Sequence, residues 1–125
     1  MATGNISVIK IRDILLVTVP SDPDDDTVTD LQEQVLQAMA IHEARGLILD
    51  ISTVETIDSF FARTVTETAK MVGLMGGVTV LAGMRASVAV TTTQLGLVLG
   101  KPLTALDVDR AMALLEAKLE SRGPV

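Results

Sequence analysis

The run Leu47-Ile48-Leu49-Asp50-Ile51 constrains the chain more than any other stretch. An apolar run without alternation belongs to a strand covered on both faces, so helices must stand on both sides of it. The flanking sequence supplies them. Between Thr27 and about Arg45, Val28, Leu31, Val35, Ala38, Met39 and His42 recur at helical spacing, and Gly46 stands where a C-cap glycine belongs. A second helix is expected from about Ser59 to Met75, after a turn spanning Ser52 to Asp58. Val78 to Ala82 reads as another buried strand and Arg85 to Leu99 as a third helix. Pro102 to Leu106 is a short extended piece. Asp107 then caps a last helix to about Glu120, with Val108, Ala111, Met112, Leu115 and Leu119 on one face. Upstream, Ile6, Val8 and Ile11 face Leu15, Val17 and Val19 across Arg12-Asp13, a pattern of two antiparallel strands joined by a tight turn.

The order β-β-α-β-α-β-α-β-α predicts an α/β domain with a mixed, mostly parallel sheet, an antiparallel N-terminal strand and four helices. A chain of 125 residues, 48% hydrophobic and 21% charged, suits one such unit across residues 1–125, with a core at about 6–119.

Composition excludes several chemistries. Ten basic against sixteen acidic side chains leave a net charge of −6, opposed to a phosphate-binding surface, which draws its affinity from Lys and Arg. Two Phe with no Tyr or Trp give little on which single-stranded bases stack. With no Cys there are no disulfides, zinc thiolates or thiol catalysis. The start Met1-Ala2-Thr3-Gly4-Asn5 lacks the basic and apolar regions of a secretory leader, so a cytoplasmic setting is expected. From Met71 to Gly100 the only charge is Arg85, but five glycines and a run of threonines interrupt the segment. Neither half reaches the roughly 20 apolar residues that span a bilayer.

Few residues offer chemistry. Asp22, Asp24, Asp25 and Asp26 read as a solvated loop leading into a helix whose N-terminus favours negative charge. A divalent-cation site needs a loop geometry that Pro23 spoils. A phosphate-receiver domain would use an acidic pair, a phosphoacceptor Asp and a Lys. Asp24–Asp26, Asp50 and Lys101 are candidates, yet they fall at the wrong places in the element order. His42, the only histidine, sits on a helix far from any nucleophile elbow, and no phosphate-cradling glycine loop occurs. No catalytic residue, metal site or cofactor is therefore expected. The turn Thr56-Ile57-Asp58-Ser59-Phe60-Phe61 remains. Asp58 is placed to cap the second helix, which puts the Ser59 hydroxyl at the carboxyl edge of the sheet, where open α/β folds place their sites.

The strand Leu47–Ile51, the helix start Ile57-Asp58-Ser59-Phe60 and the stretch Gly83-Met84-Arg85-Ala86-Ser87-Val88-Ala89-Val90-Thr91, in that order, resemble a STAS domain, the anti-sigma-factor-antagonist fold. Leu95-Gly96-Leu97 and Thr104-Ala105-Leu106-Asp107 narrow the resemblance to the RsbS-type branch, the small scaffold subunits of bacterial stressosomes. This resemblance implies a non-catalytic, phosphorylatable scaffold with Ser59 as phosphoacceptor; Thr56, the nearest other hydroxyl in the turn, is the rival acceptor. It implies an RsbT-type serine kinase as partner, held by the unphosphorylated form and released on phosphorylation to activate a downstream regulator. It further implies an RsbR-type STAS co-scaffold, a PP2C-type phosphatase and a homo- or hetero-oligomer, with Asp58, Phe60 and Arg85 around the phosphosite. The family often carries Gln-Pro where this chain has Arg85-Ala86, making the loop more basic here. The alternative is a STAS module that binds a nucleotide or another anion at the same helix start.

Overall fold

A computed structural model describes residues 6–94 and 102–121. The elements are β1 (Ser7–Ile11), β2 (Ile14–Thr18), α1 (Asp25–His42), β3 (Gly46–Asp50), α2 (Ser59–Leu74), β4 (Val78–Ala82), α3 (Ala86–Gln94), β5 (Leu103–Ala105) and α4 (Val108–Ser121). The five strands form one sheet in the order β1-β2-β3-β4-β5. Only the β1–β2 pair is antiparallel; β2 through β5 run parallel. The mixed sheet, its antiparallel first strand and the four helices match the expectation. Leu95 to Leu99, expected in the third helix, lie outside the described residues, as do Lys101 and the Leu95-Gly96-Leu97 motif.

Strand alternation divides the core in two. Leu47 and Leu49 of β3 face one layer with Leu15, Val17 and Leu81, under Val28, Leu31, Val35 and Met39 of α1 and Phe61, Val65 and Val72 of α2. Ile48 faces the other layer with Ile14, Val80 and Ala82, beneath Ala111, Leu115 and Leu119 of α4. Both faces of β3 are thus covered, with Leu47, Ile48 and Leu49 at most 1% exposed. Each such side chain contributes roughly 1.5–3 kcal/mol relative to leaving it in water. Arg12, in the left-handed region at φ 55°, turns the β1–β2 hairpin and pairs with Glu116 of α4.

Two boundaries of α1 differ from the sequence reading. The helix begins at Asp25 because Asp24 caps it, its Oδ1 accepting from the Thr27 N–H at 2.8 Å. It ends at His42 on Glu43, which adopts φ 49° and donates its N–H back to the last turn. Gly46 is therefore no cap. It is the first residue of β3, and a Cβ there would lie 3.1 Å from Leu115 Cδ1 and 3.2 Å from Ile14 Cγ1. The glycine lets α4 close on the sheet, a long-range reason that local spacing does not reveal. Within α3 the hydroxyls of Thr91, Thr92 and Thr93 return to the carbonyls of Ser87, Val88 and Ala89. Among the described residues no helix is long and apolar enough to cross a membrane.

Candidate functional site

Parallel strands β2, β3 and β4 end together, and the connection from β3 to α2 crosses their carboxyl edge. Its path is held at nearly every step. The Ile51 N–H donates to the Ala82 carbonyl at 2.9 Å, extending the ladder one residue beyond β3, and the Val54 N–H closes a turn on the Ile51 carbonyl at 3.0 Å. Asp50 Oδ1 accepts from the Ser52 N–H at 3.0 Å, the local bond by which an Asp shapes a turn two residues on. Ile51, Val54 and Ile57 are buried, so three apolar anchors pin the segment from beneath.

The connection delivers Asp58 in extended conformation, φ −120° and ψ −179°, at the head of α2. Its Oδ1 accepts from the Phe61 N–H at 2.8 Å, and its carbonyl accepts from the Ala62 N–H at 3.1 Å. Ser59 is the first helical residue and is exposed, with no hydrogen bond from its hydroxyl to the described residues. The N–H groups of Ser59 and Phe60 belong to the helix's unpaired first turn, since Phe61's is taken by the cap. Phe60 packs half-buried on the edge of the core and Phe61 is buried within it. The hydroxyl is thus carried on a rigid mount and presented to solvent.

Three further findings change the neighbourhood. Arg85 Nε donates to the Ser52 carbonyl at 3.0 Å, and its Nη1 stands 3.7 Å from Glu55 Oε2. The residue is thus engaged with the connection and makes no hydrogen bond or ion pair to Ser59. Gly83, at φ 81°, brings the β4–α3 loop against the same residue: a Cβ on it would sit 2.8 Å from Ser52 Cβ and 3.1 Å from Ser52 Cα. Thr56, exposed, shares a shallow depression of about 140 Å³ with Asp22, Pro23, Ile57, Asp58 and Phe61. Asp22 and Asp58 meet there from different loops. Two carboxylates in one depression repel an anionic ligand, which weighs against an anion-binding module at this spot.

The remaining acidic residues have structural roles. The Asp24 carboxyl is held below its ordinary pKa of 3.8 by the Thr27 backbone N–H, aided by the Thr27 hydroxyl. Asp25 and Asp26 lie in the first turn of α1, and His42 is exposed in its last turn. Among the described residues no group of three or more His, Asp and Glu is placed to hold a metal ion. Asp24 is engaged as the α1 cap and Asp50 as the acceptor of the Ser52 N–H, local roles that shape the two connections. Ser52 and Glu55 were not singled out from the sequence, Gly83 entered only as part of a motif and Asp22 only as part of a solvated acidic loop, because each meets its partner more than 25 positions away.

Comparison with known proteins agrees with this geometry. The STAS domain family model matches residues 5–111. The fold superposes on a serine-to-glutamate variant of RsbS from Moorella thermoacetica with a TM-score of 0.80 and 28% identity, covering 94% of this chain and 99% of that one. A chain from a structure described as the molecular architecture of the stressosome, a signal integration and transduction hub, gives 0.71 and 27%, covering 90% and 98%. Over 97 residues the chain is 26% identical to the RsbT co-antagonist protein RsbRA of Bacillus subtilis (strain 168), covering 74% of this chain and 35% of that protein. The chain spans about a third of the length of this curated relative.

Proposed function

The chain belongs to the STAS-domain family, and from that premise we propose that it is a non-catalytic scaffold of a bacterial stress-signalling assembly, switched by phosphorylation of Ser59. One observation carries the reading: an exposed serine hydroxyl stands at the first position of α2, capped by Asp58 and mounted on a clamped connection. The RsbS relative solved as a serine-to-glutamate variant, in which a carboxylate replaces a hydroxyl, supports a serine as the control point. In this reading the unphosphorylated chain, acting as one unit together with RsbR-type STAS domains, holds an RsbT-type serine kinase. Transfer of a phosphoryl group to Ser59 releases the kinase to activate a downstream regulator, and a PP2C-type phosphatase restores the hydroxyl. Asp58, Phe60 and the Arg85-bearing loop form the surface around the acceptor.

The physical basis is local. A phosphoserine carries about −1.5 to −2 charges and three acceptor oxygens. At the first turn of α2 those oxygens meet unpaired N–H groups and the positive end of the helix dipole, so modification leaves the fold intact. Asp58 opposes the added charge. The effect is therefore read at the surface a partner covers, where a loss of about 1.4 kcal/mol is a tenfold loss of affinity. Incubation with an RsbT-type kinase and ATP, followed by mass-spectrometric mapping, tests the assignment. Phosphate on Ser59 is the expected result; phosphate confined to Thr56, or on neither residue, refutes it.

A further inference from the structure

The outer face of α2 carries a cation one turn from the acceptor. Ser59 and Arg63 are four residues apart on this helix, a spacing that puts Cβ atoms about 5–6 Å apart on one face. Arg63 is exposed and engages no partner among the described residues. Arg85, the other guanidinium described at this edge, already serves the Ser52 carbonyl and Glu55. The first turn of α2 contains no acidic residue to compete for Arg63. Glu67 lies four residues beyond it, but with the cation N-terminal to the anion, the less favourable order.

Resting on the reading of Ser59 as the acceptor, we propose that Arg63 is the receptor of the Ser59 phosphate within the same molecule. In the kinase step the Ser59 oxygen bonds to the γ-phosphorus of ATP, ADP leaves, and the hydroxyl proton is released. The new dianion stands N-terminal to Arg63, the favourable order for a helical i, i+4 pair. Its oxygens accept charge-assisted, fork-like hydrogen bonds from the guanidinium. Opposing charge comes from Asp58 beside it, Glu55 on the connection and Asp22 on the β2–α1 loop; Arg85 reaches the edge from the β4–α3 loop. Phosphorylation then changes the partner-facing surface twice: it adds an anion and withdraws a free guanidinium. An acidic partner patch loses its contact with Arg63 with no change of fold.

The test uses the full chain with phosphoserine installed at position 59 during translation, in four backgrounds: wild type, Arg63→Gln, Arg63→Lys and Arg85→Gln. The second ionisation of the phosphate, near 6 for a free phosphoserine, is followed by ³¹P NMR. The expected result is a pKa about 0.2–0.4 lower in wild type than in Arg63→Gln, partial restoration by Arg63→Lys, and no change with Arg85→Gln. Equal values in wild type and Arg63→Gln overturn the proposal, as does a larger effect of Arg85→Gln than of Arg63→Gln. Because no kinase makes the phosphoserine, the outcome is independent of which residue a kinase selects, and mass-spectrometric mapping judges the acceptor assignment separately.

Discussion

Replacing Gly83 by alanine tests whether the β4–α3 loop clamps the connection that carries Ser59. Two penalties combine there. At φ 81° an L-residue is strained, by about 1–2 kcal/mol, offset by about 0.4–1 kcal/mol because alanine reduces the freedom of the unfolded chain. The new Cβ also meets Ser52 Cβ at 2.8 Å, Cα at 3.1 Å and N at 3.3 Å. These atoms cannot rotate away, because the Ser52 N–H is bonded to Asp50 and its carbonyl to Arg85. Such overpacking adds about 1–3 kcal/mol. Gly76 provides the control: its φ is 90°, yet a Cβ there meets nothing within 4 Å, so Gly76→Ala carries the strain alone. The expected losses are about 2–4 kcal/mol for Gly83→Ala and about 1 kcal/mol for Gly76→Ala. With no Trp or Tyr in the chain, urea unfolding is best followed by far-ultraviolet circular dichroism. Gly83→Ala should lower the midpoint by about 1–2 M. Equal losses in the two variants refute the clamp, since the close approach to Ser52 would then carry no weight.

Three other perturbations have defined outcomes. Asp58→Ala removes the α2 cap and should cost about 1 kcal/mol in urea unfolding, whereas Asp58→Asn, which keeps an acceptor oxygen, should cost much less. Thr79 Oγ1 is buried without a partner among the described residues, so Thr79→Val should raise the thermal midpoint, by an amount equivalent to about 1 kcal/mol or more. A drop would mean that the hydroxyl is bonded. Asp24 has a folded-state pKa below its ordinary value, so its contribution to stability is present above pH 3.8 and is lost as pH falls through the lower, folded-state value. Asp24→Asn should flatten the acid limb of the stability profile below pH 3.8; an unchanged limb contradicts the assigned cause.

Much of the architecture was legible because its causes are local. Leu47 to Leu49 had to be covered on both faces, and the two core layers cover them. Asp58 and Asp107 announced the starts of α2 and α4 through capping chemistry, and both accept from the N–H three residues on. What escaped the sequence acts across the fold. Gly46 looked like a helix stop because glycine is common there, but its purpose is the approach of Leu115. Arg85 looked like a cation beside the phosphosite, and its hydrogen bond to Ser52, 33 residues away, is a product of strand order. The meeting of Asp22 with Asp58 likewise exists only once β2 and β3 lie side by side.

If the state of Ser59 sets the hold on the kinase, the dissociation constant of the full chain for an RsbT-type kinase measures it directly. Unmodified protein should bind at least about tenfold more tightly than protein carrying phosphoserine at 59, a difference of about 1.4 kcal/mol or more. Ser59→Ala should stay bound after incubation with ATP, and Ser59→Asp should bind more weakly than either. Equal affinity of the unmodified, phosphorylated and Ser59→Asp forms would contradict the switch.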